Sequence, residues 1–360
     1  MLDIVRVAPE LQPDVGPLRP VRVGVVGLGR MGAVHAALLS MLPDVTIAGA
    51  ADSQPGAARR MRGMGFRIPV WQSLDALLGE QVDVVWVCTP PDSHLAVARR
   101  CLEAGVAVFV EKPLAHSLED ARLLADLAVG PMRRAACGYG LAFWPTFVAA
   151  RQLLAAGAIG SPVRAVSSMF LSQLSGPQRG WMYDRARSGG GVVANLSSHL
   201  LFLLQWYFGM PTSGRATCRH VHTAVDDELR ATLVMPGCPE VLFESSWCVP
   251  GYPISVTTIA VEGSDGSLHV DNQSLLLDLR VPRCGLGAGL TRIREADLPQ
   301  PARFYFNGEA FALEDAHILR WATGGPPPPI TAAAGFDVQR IMAALYASAA
   351  AGGEPVAVPP

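Results

Sequence analysis

The chain almost lacks lysine: of its 29 lysines and arginines, only Lys112 is a lysine. A guanidinium stays protonated at any ordinary pH, whereas an ammonium is compact, donates one directed proton and shifts its pKa readily when buried. Lys112 follows an apolar run, 107–110, and precedes a proline, where a strand is expected to give way to a loop. We therefore predict a site that needs a small titratable cation. The alternative is a surface lysine retained by chance.

Clustered charge, paired cysteines and long apolar runs are also scarce. The net charge is −2 and the arginines are scattered, which argues against a nucleic-acid surface. The 7 cysteines form no CxxC pair and no zinc spacing, which favours a reducing cytoplasm and predicts no metal site. The most apolar stretch, 200–209, is interrupted by Gln205 and is too short to span a membrane. Residues 1–20 carry charges and prolines, which predicts a flexible arm rather than a signal peptide.

Length and pattern predict two domains in the 360 residues. Over residues 21–140, short β-branched runs alternate with helical stretches. This alternation is typical of an α/β Rossmann domain with a doubly wound parallel sheet. Over residues 141–358, successive strand patterns follow one another with turns between them. They predict an α+β domain with a large, mostly antiparallel open sheet.

A glycine-rich motif of the form G-x-G-x-x-G follows the first predicted strand and opens a helix, the context in which it binds a dinucleotide pyrophosphate. Its residues are Gly27, Leu28, Gly29, Arg30, Met31 and Gly32. Asp52 ends the second predicted strand, with Ser53 beside it, where a carboxylate accepts hydrogen bonds from ribose hydroxyls and repels a 2′-phosphate. The motif therefore predicts NAD, with NADP possible. A plain glycine turn is the alternative.

Further candidates follow the later strands of the predicted sheet. In an open parallel sheet, ligands bind beyond the carboxyl ends of the strands, near the point where the strand order reverses. We therefore expect the residues at these ends to contact the cofactor, although His94 could simply begin a helix. They are Cys88, Thr89, Pro90, His94, Glu111 and Lys112.

These motifs together resemble the Gfo/Idh/MocA (glucose–fructose oxidoreductase/inositol dehydrogenase) family. The resemblance continues through the glycine triplet at 189–191 to His199. It implies an NAD(P)-dependent oxidoreductase that transfers a hydride between nicotinamide and a secondary alcohol or ketone of a sugar, cyclitol or related cyclic substrate. It also implies that residues 141–358 form the domain for substrate binding and oligomerisation, with a homodimer or homotetramer formed through its sheet. The family's Lys-Pro peptide is often cis.

The resemblance also implies roles for single residues. Lys112 lies near the reacting carbon and His199 is the acid–base group. Asn195 stands where the family has an aspartate, and an amide can orient a hydroxyl but cannot accept its proton as a base. Aromatic side chains could stack on a substrate ring and an arginine could meet an anionic group, although each aromatic is equally a core candidate. These substrate candidates are Trp144, Trp181, Tyr183 and Arg185.

Three departures from the family pattern keep other functions open. Besides Asn195, a family glycine is Ser197 and an acid often found three residues after the histidine is Phe202, which predicts a more apolar rim. One alternative is a catalytically silent protein that senses a dinucleotide or ligand on the same scaffold. Another is a redox-elimination glycosidase that recycles NAD within each turnover.

Overall fold

A computed structural model describes residues 16–130, 133–298 and 309–360, so residues 1–15 of the predicted arm lie outside the described residues. In these ranges the helices are α1 Arg30–Met41, α2 Ala57–Gly63, α3 Leu74–Leu78, α4 His94–Glu103, α5 Leu118–Leu127, α6 Pro145–Ala155, α7 Arg185–Ser188, α8 Ser198–Phe208, α9 Glu309–Ala322 and α10 Ala332–Ala350. None of the helices described is long and apolar enough to cross a membrane.

The strands described fall into two sheets. The first sheet holds β1 Val21–Val26, β2 Val45–Ala51, β3 Val70–Trp71, β4 Val84–Val87, β5 Ala107–Val110 and β6 Ala135–Cys137. The second holds β7 Pro162–Phe170, β8 Ser213–Arg219, β9 Glu228–Met235, β10 Cys238–Ser246, β11 Val256–Gly263, β12 Gly266–Asp271, β13 Ser274–Leu279, β14 Gly289–Arg294 and β15 Val356–Ala357.

The first sheet has the order β3-β2-β1-β4-β5-β6, and all of its neighbouring strands are parallel. The central strands β1 and β4 consist mostly of buried valines, as expected for strands covered on both faces. The strand order reverses between β1 and β4, and this reversal creates the crevice where doubly wound sheets bind ligands. The predicted Rossmann fold is confirmed.

A helix from far along the chain completes the unit that contains this sheet. Helix α9 packs against α1, and residues 309–336 group with the parallel-sheet unit. The second domain was predicted to run continuously from 141 to 358, so the structure interrupts it. The physical reason is that α9 buries apolar side chains and an acidic pair in the first unit, as described below.

The second sheet has the order β14-β13-β12-β11-β7-β10-β9-β8-β15. All of its pairs are antiparallel except β7 with β10, so the predicted mostly antiparallel sheet is confirmed. Side chains in β9 and β11 alternate between buried and more exposed positions, which is the pattern of a sheet with one covered face. A π-helical turn, Val193–Ser197, directly precedes α8.

Candidate active site

The glycine-rich turn joins β1 to α1, and packing requires two of its glycines. Gly27 has a φ of +88°, and a Cβ there would lie 2.8 Å from the backbone carbonyl of Cys88. A Cβ on Gly32 would lie 1.9 Å from the carbonyl oxygen of Gly27. Only glycine therefore lets α1 start this close to the turn and to the end of β4.

Gly29 is not required by the protein's own packing. A Cβ at Gly29 would meet no atom within 4 Å, and its φ of −74° is open to any residue. Helix α1 begins at the next residue, Arg30, and no described side chain caps it. The first turn, with Met31, therefore presents backbone amides and the positive end of the helix dipole to open space. This arrangement fits the close approach of a dinucleotide pyrophosphate.

Asp52 connects the end of β2 to the same turn. The Leu28 amide donates to Oδ2 of Asp52 at 2.7 Å, and the Gln54 amide donates to Oδ1 at 2.7 Å. A carboxylate has about four acceptor positions, so each oxygen keeps capacity for one further donor such as a ribose hydroxyl. Ser53, beside it, is exposed.

The loop after β4 places Cys88, Thr89 and Pro90 at the carboxyl edge of the sheet, each partly exposed. His94 is buried, with Nε2 2.8 Å from the Thr89 carbonyl oxygen and Nδ1 3.1 Å from the Pro113 carbonyl oxygen. Burial lowers the pKa of His94. The ring therefore lies between the loop after β4 and the loop after β5, and as a neutral imidazole it donates to only one of the two carbonyl oxygens.

Lys112 follows β5 at this edge, and the Lys112–Pro113 peptide bond is cis. Burial lowers the pKa of Lys112 to about 8; the charge of Glu111 opposes this decrease and Arg30 adds to it. The amine is thus mostly protonated at pH 7, yet it titrates close to the physiological range. It has the chemical property for which a lysine, rather than an arginine, is needed.

A buried charged network beside Glu111 was not predicted. Nε2 of His35 lies 3.1 Å from Oε1 of Glu111, and Nδ1 lies 2.8 Å from Oδ1 of Asp315. The Trp86 indole N–H donates to the same oxygen of Asp315 at 2.8 Å. A polar residue on the otherwise apolar face of α1 was the only sequence signal, because Asp315 lies 280 residues from His35.

In the second unit, Asp226 holds the glycine triplet that precedes the π-helical turn. Its carboxylate accepts hydrogen bonds from the amides of Gly191 and Val193, both at 2.8 Å, and from the Tyr346 hydroxyl at 2.9 Å. A Cβ on Gly191 would lie 2.0 Å from the Asp226 carbonyl oxygen, and one on Gly190 would lie 1.8 Å from the Tyr346 hydroxyl. Gly190 and Gly191 are therefore glycine because the Tyr346 side chain and the Asp226 backbone approach them closely.

Asn195 and His199 share one accessible face of the helical segment that follows. Between residues 191 and 204 they are the two positions that are not buried. Residues four apart lie on the same side of a helix. Asn195 belongs to the π-helical turn, a type of irregularity that is common at functional sites. The segment thus presents an amide and an imidazole side by side.

The apolar rim expected at Phe202 is not observed. Phe202 is only 2% exposed, and its ring centroid lies 6.0 Å from that of Trp206. Ser197 is fully buried as well. Ser197 and Phe202 therefore affect the interior packing of this helical segment, and they do not alter the face that carries Asn195 and His199.

The substrate candidates occupy different environments. The Trp144 indole N–H donates to the Asn272 carbonyl oxygen at 2.8 Å, and the ring is partly buried. The Tyr183 hydroxyl accepts a hydrogen bond from a neighbouring glutamine amide, and its ring contacts a buried tryptophan edge to face. Trp181 is 37% exposed, and the Arg185 guanidinium lies 4.6 Å from the Tyr346 ring centroid. Trp181 and Arg185 are exposed, whereas Trp144 and Tyr183 are partly buried.

Comparisons with known proteins match both parts of the chain. A family model described as an oxidoreductase family with an NAD-binding Rossmann fold matches residues 21–139, and a GFO/IDH/MocA C-terminal domain model matches residues 147–269. Inositol 2-dehydrogenase of Rhizobium meliloti (strain 1021) is 27% identical over 262 residues, which covers 70% of this chain and 76% of that enzyme. D-glucoside 3-dehydrogenase of Escherichia coli (strain K12) is 25% identical over 357 residues, which covers 92% and 96% of the two chains. The crystal structure of GenD2 from gentamicin A biosynthesis, in complex with NAD, matches with a TM-score of 0.79 at 26% identity, covering 95% of this chain and 97% of that one.

Proposed function

This chain belongs to the GFO/IDH/MocA oxidoreductase family, and we propose that it uses NAD to interconvert a secondary alcohol and a ketone of a sugar, cyclitol or related cyclic substrate. It is an NAD-binding oxidoreductase that acts on CH–OH groups. The substrate class follows from relatives that are named for inositol and for D-glucosides. The observation that carries the proposal is the uncapped start of α1 at Gly29, on the same edge of the sheet as the titratable amine of Lys112.

The residues divide the work of alcohol oxidation. The turn at Gly29 and the carboxylate of Asp52 would hold NAD, which would supply the hydride acceptor for the carbinol carbon, and the hydroxyl proton would leave separately. The ammonium of Lys112 donates a hydrogen bond to the substrate oxygen and stabilises the negative charge that develops there. His199 accepts the proton, for which an imidazole is suited near neutral pH. Asn195 orients a substrate hydroxyl through its amide.

Replacement of Lys112 tests this proposal. Lys112→Met removes the ammonium but keeps an apolar stem, so NADH binding should persist while kcat on the active substrate falls by about 10²–10⁴-fold. The measurement is NADH fluorescence titration together with initial rates on a panel of inositols, glucosides and ketoses. Arg122→Met, at an exposed position on α5, is the matched control. Unchanged turnover in Lys112→Met would refute the role of Lys112. NADH binding without turnover of any panel member by the unaltered protein would favour the sensing alternative.

The exposed face of the second sheet supports a further part of the proposal, self-association. Val166 on β7 and Val234 on β9 are 48% and 46% exposed on that sheet. Charged pairs such as Arg230 with Glu244, 3.2 Å apart, lie on neighbouring strands. A two-fold axis would pair such a mixed surface with itself. We expect a dimer or tetramer, and the molar mass in solution tests this.

A further inference from the structure

The hydrogen-bonded network beside the proposed active site runs unbroken from α9 to Lys112. Asp315 contacts His35, His35 contacts Glu111, and Oε2 of Glu111 accepts the backbone N–H of Lys112 at 3.1 Å. We propose that His35 and Asp315 are positioning residues, which act through Glu111 to hold Lys112 and to set its proton affinity. This inference rests on the proposed function only in giving Lys112 a catalytic task.

The geometry suits a doubly protonated His35. Both ring nitrogens of His35 lie within hydrogen-bond distance of a carboxyl oxygen. Nδ1 lies close to Asp315, and Nε2 lies close to Glu111. A neutral imidazole donates from one nitrogen, whereas an imidazolium donates from both. Burial lowers the pKa of His35, but the charges and hydrogen bonds of Asp315 and Glu111 outweigh it and raise the pKa well above its usual value. His35 is therefore a buried cation at neutral pH.

The acid at the far end of the network is held rigidly. Asp315 is fully buried, and it accepts hydrogen bonds from both His35 and the Trp86 indole. The ring of Phe109 lies 5.0 Å from that of His35, so the imidazolium is packed as well as bonded. The network cannot move without breaking buried hydrogen bonds, which are costly to leave unmade.

The cation of His35, 3.1 Å from Oε1 of Glu111, favours the ionised form of that carboxyl group. Glu111 is only 8% exposed, and a buried carboxylate without an opposite charge takes up a proton. Ionised Glu111 raises the pKa of Lys112 against the decrease caused by burial and by Arg30, and Cys137 adds a smaller increase. Loss of the His35 cation should protonate Glu111, so the pKa of Lys112 should fall below about 8.

Glu314 provides a matched control within the same cluster. It is fully buried next to Asp315, and among the described residues its carboxyl group makes no hydrogen bond to His35, Asp315 or Glu111. Burial raises its pKa well above the usual value, despite the nearby His35 cation. Glu314 therefore stands outside the hydrogen-bonded path, and burial favours its protonated form, which an amide replaces without a change of charge.

The single lysine allows a direct test on the full chain. Protein labelled with [15N]lysine carries one lysine Nζ signal, whose NMR titration gives the pKa of Lys112 independently of turnover. His35→Gln and Asp315→Asn should each lower this pKa, by about one unit or more for His35→Gln. The Glu314→Gln titration should match that of the unaltered protein. The alkaline limit of kcat should move down with the Lys112 pKa, because the ammonium is the active form.

The possible outcomes test the network and the catalytic role of Lys112 separately. An unchanged Lys112 titration in folded Asp315→Asn and His35→Gln proteins would overturn the inference, and so would a shift of equal size in Glu314→Gln. If His35→Gln does not fold, Asp315→Asn decides, because its amide oxygen still accepts from His35. A lowered Lys112 pKa with no change in the alkaline limit of kcat would support the network and count against the catalytic role of Lys112.

Discussion

Gly29 and Gly32 stand in one turn, yet an added methyl group should affect them in opposite ways. Gly29→Ala places a Cβ in open space at an allowed φ, so the fold should keep its thermal stability. The same Cβ occupies the space that a pyrophosphate needs, so NADH should bind about tenfold more weakly, ~1.4 kcal/mol. Fluorescence titration and thermal unfolding measure the two effects.

Gly32→Ala is the contrasting variant. Its Cβ would lie 1.9 Å from the Gly27 carbonyl oxygen, so this variant should lose thermal stability even without cofactor. Equal NADH affinity in Gly29→Ala and the unaltered protein would show that no ligand approaches Gly29. The contrast distinguishes a glycine that serves binding from one that serves packing.

Among the elements, the π-helical turn depends on one buried carboxylate. Asp226→Asn keeps only one acceptor oxygen for the two amides of Gly191 and Val193. One buried amide then loses its partner, at a cost of about 1–3 kcal/mol. We expect a lower Tm and a lower kcat/KM, because the turn carries Asn195 and leads directly to His199.

Exposed Asp278 on β13 offers the matching control for that variant. Asp278→Asn makes the same chemical change at the surface, so it should leave both Tm and kcat/KM near those of the unaltered protein. Unaltered kcat/KM in a destabilised Asp226→Asn protein would mean that the carboxylate stabilises the fold without orienting the proposed catalytic groups.

Local pattern predicted the elements that are defined by near neighbours in sequence. The alternation of strand and helix signals and the G-x-G-x-x-G turn depend on residues a few positions apart, and both sheets were predicted correctly in type. The network of His35 and Asp315 depends on a contact across 280 residues, for which the sequence has no local signal. The role of Asp226 was missed for the same reason, because its partner Tyr346 lies 120 residues away.

At the scale of the whole molecule, self-association should depend on the exposed face of the second sheet. Val166→Glu puts a charge in the middle of β7 on that face, so it should lower the molar mass measured by light scattering after size exclusion. Val129→Glu makes the same change at a 75% exposed position in the first unit and should leave the molar mass unaltered. A molar mass that responds to neither change would place the contact elsewhere.

Helix α9 belongs to the parallel-sheet unit but follows β14 in the chain, and this affects the order in which the two units fold during translation. Asp315, which neutralises the buried imidazolium of His35, is synthesised after the whole antiparallel sheet except its short last strand. A nascent chain that has left the ribosome only as far as β14 therefore lacks α9, so the ring of His35 has no Asp315 to pair with. The nucleotide-binding half should become resistant to protease late in synthesis, although its strands emerge first.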